Sequence, residues 1–149
     1  MRTVDEHRTS ASADDCFTVA ADVERWPELL SHYRWVRFRD PGVVEMAAWR
    51  SFGPLRYPTW WMSEMEQDPT TRTVRYRHIE GITRGMDVRW EVIPEGDTTL
   101  LRIVHEWSGP PWPVIGGWAA EHVIGPHFVG HIAGRTLAGL AQAAERGSP

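Results

Sequence analysis

The sequence predicts an α+β domain in which a curved antiparallel sheet wraps around one long C-terminal helix. Three observations predict it. From Tyr33 to Trp107 apolar residues recur with period two, in segments separated by turn signals. One polar strand and two short helices precede that stretch, and beyond it the apolar period becomes that of a helix. Nothing repeats and no linker interrupts the pattern, so residues 1–149 are expected to form a single domain.

Each element has a local reason. Arg2 to Thr9 is polar with β-branched residues, which suits a first strand at a sheet edge. "SASADDCFTVAADV" reads as a helix with Ser12 as N-cap and Asp14 and Asp15 in its first turn, where the helix dipole favours them. Phe17, Ala20 and Ala21 form its expected buried stripe. "DVERWPELL" reads as a second short helix interrupted at Pro27. Next come the alternating strands. Val36 and Phe38 oppose Arg37 and Arg39; Val74, Tyr76 and His78 oppose Arg75 and Arg77. Met86, Val88, Trp90 and Val92 oppose Asp87, Arg89 and Glu91; Leu101, Ile103, His105 and Trp107 oppose Arg102 and Glu106. "VVEMAAWRSFG" and "YPTWWMSEME" supply two more strands, and "DPG", "DPTT" and "PEGD" mark turns. Six strands therefore follow the helix pair.

In the last segment, about 100° per residue gathers Val129, Ile132, Ala133, Thr136, Leu137, Leu140 and Ala144 into one apolar stripe. His127, His131, Arg135, Gln142 and Glu145 fall opposite it. The spacing of His127 and His131 is that of two metal ligands on one helix face, but a solvated polar face accounts for them better, because no acidic or Cys partner lies close in sequence. His122 lies beyond Pro126 and cannot be phased with them. No metal and no cofactor is expected.

Composition removes further classes. All 16 basic residues are Arg, which excludes Schiff-base chemistry, a lysine base and a P-loop lysine. The single Cys16 excludes an internal disulfide and a cysteine zinc site. A net charge of −4 gives no reason to expect nucleic acid. No charged-then-apolar leader and no bilayer-length apolar run is present, so membrane insertion is not expected and the expected location is the cytoplasm. Nine Trp in so short a chain suit a core or the wall of an apolar pocket. Trp61, Trp90, Trp107, Trp112 and Trp118 are the candidates for such a wall.

The element order is that of the helix-grip fold, and the residues carry the resemblance further. "ADVERWPELLSHY", "RTVRYRHIEGITRGMDVRWEV" and "VIGPHFVGHIAGRTL" resemble the helix-to-strand segment, central hairpin and closing helix of the START-like polyketide cyclase/dehydrase and coenzyme Q-binding superfamily. The resemblance covers nearly the whole chain. It implies a deep cavity between sheet and long helix that holds a hydrophobic molecule: a polyketide, a quinone or a lipid. It also implies that Trp26, Tyr33 and Trp90 are cavity aromatics and that His105 occupies a polar inward position. An arginine central to the proposed aromatase mechanism aligns with Met65, so the expected cation is missing there.

Aldol cyclisation of a poly-β-ketone needs a shaped cavity and groups that move protons through an enolate. The dry face offers His105, His78, Tyr76 and Ser63, with Tyr33 nearby. His105 is the leading candidate base, since imidazole titrates near neutrality; its plain alternative is a core histidine bonded to a neighbour. Trp26, Trp61, Ser63, Met65, Met86, Trp90, Ile103, Trp107, Phe128 and Ile132 are the candidate ligand contacts. Arg84, beside Gly85 in a hairpin, is a candidate for a ligand carboxylate or phosphopantetheine, or a solvated turn residue. Two functions are thus expected: a cofactor-free cyclase/aromatase-like enzyme, whose substrate an acyl carrier protein could present, or a carrier of a quinone, lipid or other hydrophobic molecule. The protein is expected to be a monomer or a homodimer.

Overall fold

A computed structural model describes residues 1–52, 54–110, 116–119, 122 and 129–147. Seven antiparallel strands form one sheet: β1 (Arg2–Thr9), β2 (Tyr33–Asp40), β3 (Val43–Phe52), β4 (Leu55–Asp68), β5 (Thr73–Gly81), β6 (Asp87–Glu95) and β7 (Thr98–Glu106). Strands β2 to β7 form a meander, and β1 closes onto β7, giving the order β1-β7-β6-β5-β4-β3-β2. Among the described residues four α-helices accompany it: α1 (Ala13–Ala21), α2 (Trp26–Leu29), α3 (Gly116–Ala119) and α4 (His131–Gly147), with a 3-10 turn over Val23–Arg25.

The helical expectations hold in their physical detail. The Ser12 hydroxyl accepts the Asp15 amide, satisfying one of the free donors at the start of α1. The stripe of α4 is buried as phased, with Ile132, Ala133, Thr136, Leu137, Leu140 and Ala144 all covered, and Val129 with them. Gly139 has a steric role: a Cβ there would collide with the Leu30 side chain, so glycine lets Leu30 pack onto the helix backbone. Among the described residues no helix is long and apolar enough to cross a membrane.

Three local expectations need correction. Pro27 does not interrupt a helix. It stands at the start of α2, where its missing N–H costs no hydrogen bond, and the preceding residues turn as 3-10. Phe38 is 41% exposed. It lies at the end of edge strand β2, where a register shift between Phe38 and Asp40 ends the regular alternation. In α1 the fully buried residues are Cys16 and Ala20, while Phe17 and Ala21 are only partly covered.

Candidate active site in the sheet–helix cavity

The concave face of the sheet and the stripe of α4 border a half-open cavity of about 70 Å³. Strand alternation supplies its wall. Strand β5 contributes Tyr76 and His78, β6 contributes Val88 and Trp90, and β7 contributes Ile103 and His105. Trp26 and Tyr33 reach in from α2 and the start of β2, Trp61 from β4, and Ile132, Ala133 and Thr136 from α4.

The aromatic groups brace one another. Trp26 meets Tyr33 edge-on with centroids 5.3 Å apart and lies 5.7 Å from Trp90. Trp61 stacks on the His78 ring at 6.0 Å with an interplanar angle of 13°. Trp26 also donates its indole N–H to the Val19 carbonyl, so this wall is tied to α1.

The polar groups form a set. His78 Nδ1 and the Thr83 hydroxyl are hydrogen-bonded at 2.6 Å, which fixes the imidazole plane. His105 Nδ1 and the Tyr76 hydroxyl are buried without a hydrogen-bond partner among the described residues. Arg50 enters from β3, 9% exposed, with its guanidinium carbon 5.3 Å from the Trp61 ring centroid. Burial, assisted by the nearby guanidinium, lowers the His105 pKa to about 3. Burial, then His105 and Arg50, brings His78 to about 3 as well. Burial raises Tyr33 to about 12 and Tyr76 well above its ordinary value, while Arg50 is lowered to about 10. At neutral pH the described lining thus carries the Arg50 cation, two neutral imidazoles and two protonated phenols.

A family model described as polyketide cyclase / dehydrase and lipid transport matches residues 9–124. The chain belongs to that family. Solved structures of similar shape bear out the helix-grip fold. An aromatase/cyclase from Streptomyces sp. R1128 superposes with a TM-score of 0.74 at 18% identity, over 98% of this chain and 94% of that one. A protein from Thermus thermophilus gives 0.77 at 18%, over all of both chains. Norcoclaurine synthase from Thalictrum flavum gives 0.71 at 18%, over 99% and 98%.

Within this polyketide cyclase/dehydrase fold, ten of the residues expected from sequence line the cavity: Trp26, Tyr33, Trp61, Tyr76, His78, Met86, Trp90, Ile103, His105 and Ile132. Others stand elsewhere. Ser63 is fully buried on the concave face, paired in register with His78, but does not border the cavity. Met65 packs in the core opposite Tyr76. Trp107 is core too, its indole donating to the Arg84 carbonyl at 3.0 Å. Arg84 therefore fixes a turn through its backbone, and the residue itself is exposed outside the cavity wall. Trp118 is 60% exposed and stacks on His122, and it does not border the cavity among the described residues. Phe128, Trp112, His127 and the His131 side chain lie outside the described residues. Among the described residues no group of three metal-ligating side chains converges.

Arg50, Met46 and Thr83 line the cavity without having been singled out from sequence. A signal existed for the first two. In "VVEMAAWRSF" the inward set is Val44, Met46, Ala48 and Arg50, but small and polar residues on both faces hide the phase. Arg50 thus places a guanidinium on the cavity wall from β3, the strand next to the β4 position of Met65. Thr83 lies in a turn, where no periodicity applies.

Proposed function

We propose that the cavity binds a hydrophobic poly-β-ketone and promotes aldol cyclisation and dehydration by acid/base chemistry without a cofactor. The observation that carries this reading is the convergence of His105, His78, Tyr33, Tyr76 and Arg50 on one aromatic-walled cavity. A neutral imidazole can accept a proton from the methylene between two carbonyls. The enolate carbon then attacks a second carbonyl carbon, and the new alkoxide takes a proton from a phenol. The phenolate then takes a further C–H proton as the hydroxyl departs as water, protonated by the imidazolium, which gives the unsaturated ring and restores both the phenol and the neutral imidazole. Arg50 supports the enolate by placing positive charge where negative charge develops. The enolate in turn stabilises the imidazolium, offsetting the low basicity that burial gives the imidazole.

That low basicity also favours a second reading, a non-catalytic carrier of a quinone, lipid or similar molecule. An imidazole held near pKa 3 is a poor base until an anion forms beside it. The two readings separate experimentally. Purified protein is incubated with a synthetic poly-β-ketone thioester, and products are followed by chromatography for wild type and His105→Phe. The enzyme reading expects cyclised product from wild type, its loss in His105→Phe, and retained ligand-induced quenching of Trp fluorescence in both. Binding without turnover in wild type would leave the carrier reading, and wild-type turnover in the variant would remove His105 from the chemistry.

A further inference from the structure

Most arginines of this chain are neutralised within it. Arg2, Arg8, Arg25, Arg37, Arg39, Arg72, Arg77, Arg89 and Arg102 each form an ion pair with a carboxylate. Arg34, Arg56 and Arg135 are among those that do not, within the described residues, although the chain carries 20 acidic side chains against 16 basic ones. These three are not scattered. The guanidinium carbons of Arg34 and Arg56 lie 5.0 and 4.4 Å from the centroid of the same Trp49 ring. Trp49 and Arg56 line an open groove whose other walls include Ser31, Ser51 and, from α4, Arg135.

The groove is separate from the cavity. Trp49 and Ser51 flank Arg50 in β3, so alternation turns them to the opposite face of the strand. Their neighbour points into the cavity and they do not.

Three like charges gathered with no ion-pair partner among the described residues repel one another, and a net-acidic protein has carboxylates with which to avoid that. Two features make the arrangement suited to an anion. An arginine plane held against an indole has already lost much of its side-chain freedom, so less is lost when it binds. Planar guanidinium forks combined with serine hydroxyls match the several oxygens of a tetrahedral oxyanion better than the two coplanar oxygens of a carboxylate. We propose that this groove is a binding site for a phosphate ester, with Arg56 and Arg135 as its charged contacts, Arg34 adding charge across Trp49, and Ser31 and Ser51 as neutral donors. The proposal is independent of what the cavity binds or turns over.

The test uses the intact chain and ethyl phosphate as probe, at fixed ionic strength, with the Trp49 indole N–H followed in proton–nitrogen spectra. The expected result is a saturable shift of that signal, with affinity reduced at least about tenfold in Arg56→Gln/Arg135→Gln, the loss of two charge-assisted bonds. Arg75→Gln, a change on β5 outside the groove, should bind as wild type does. Acetate at the same ionic strength should give a markedly weaker response. Arg56, Arg75 and Arg135 are all exposed, and near-ultraviolet circular dichroism verifies that the variants remain folded. A shift that never saturates, equal binding of acetate, or unchanged affinity in the double variant would overturn the site. A cavity ligand is monitored through Trp61 and Trp90, so failure here leaves the cavity reading as it stands.

Discussion

Strand β3 places two charges on its two faces and treats them differently. Outward, Glu45 is buried, and three donors close on it: Arg37, Arg39 and the Trp60 indole, the last at 2.7 Å. Those bonds hold the carboxyl well below its usual range, at about 2. Inward, Arg50 faces a cavity whose described lining offers phenols and imidazoles but no carboxylate. One charge is saturated by the protein, as a structural group is. The other stands beside the imidazoles and phenols of the cavity, where the proposed function gives it a role. Both are buried charges beside tryptophan, and only the identity of the neighbours tells them apart.

The comparison is broken most forcefully at Arg50. Arg50→Met should reduce turnover of a poly-β-ketone by about 100-fold, the order found when a group that stabilises a developing oxyanion is removed. Product formation measured at saturating substrate checks this, and a loss below about threefold would make Arg50 a packing residue. Glu45→Ala should do the reverse. It leaves the Trp60 N–H and two guanidinium groups without their acceptor and should cost about 2 kcal/mol in urea unfolding, less than a fully buried pair because Arg37 and Arg39 are about half exposed. Folded Glu45→Ala should still turn over at the wild-type rate.

A smaller effect sharpens the cavity side through pH. His78 and His105 have native pKa values of about 3, below the 6.5 of an unfolded histidine. Between those values the unfolded chain binds more protons than the native one, so stability is complete above about pH 6.5 and falls as pH drops toward about 3. The decline between about pH 6.5 and pH 4 should be shallower in His78→Gln/His105→Gln than in wild type, read from melting temperatures across that range. Equal slopes would mean that neither imidazole is held neutral by its surroundings.

The same contrast explains what could be read from the sequence. The concave wall on β5, β6 and β7 was legible because strict alternation of large apolar with charged residues fixes the face of every side chain, His105 and Tyr76 included. The α4 stripe was legible for the corresponding reason at the helical period. Strand β3 was not, because Ala47, Ala48, Trp49 and Ser51 blur the phase, and the burial of Glu45 depends on Arg37 and Arg39 across the strand pair and on Trp60 from the next strand. Thr83 and Arg84 were illegible for another reason. In the turn after Gly81, φ of 103°, direction is set by backbone geometry, which sends Thr83 inward and Arg84 out.

The central claim is that the cavity stabilises an enolate, and the most direct measurement observes one. A carbon-13-labelled aryl β-diketone bound to the protein at neutral pH reports its own ionisation through the carbonyl and methine chemical shifts. The account predicts enolate signals in wild type and neutral keto or enol signals in His105→Phe and Arg50→Met, with the ligand still bound in each. A neutral ligand in wild type, or the same enolate in all three proteins, would contradict it.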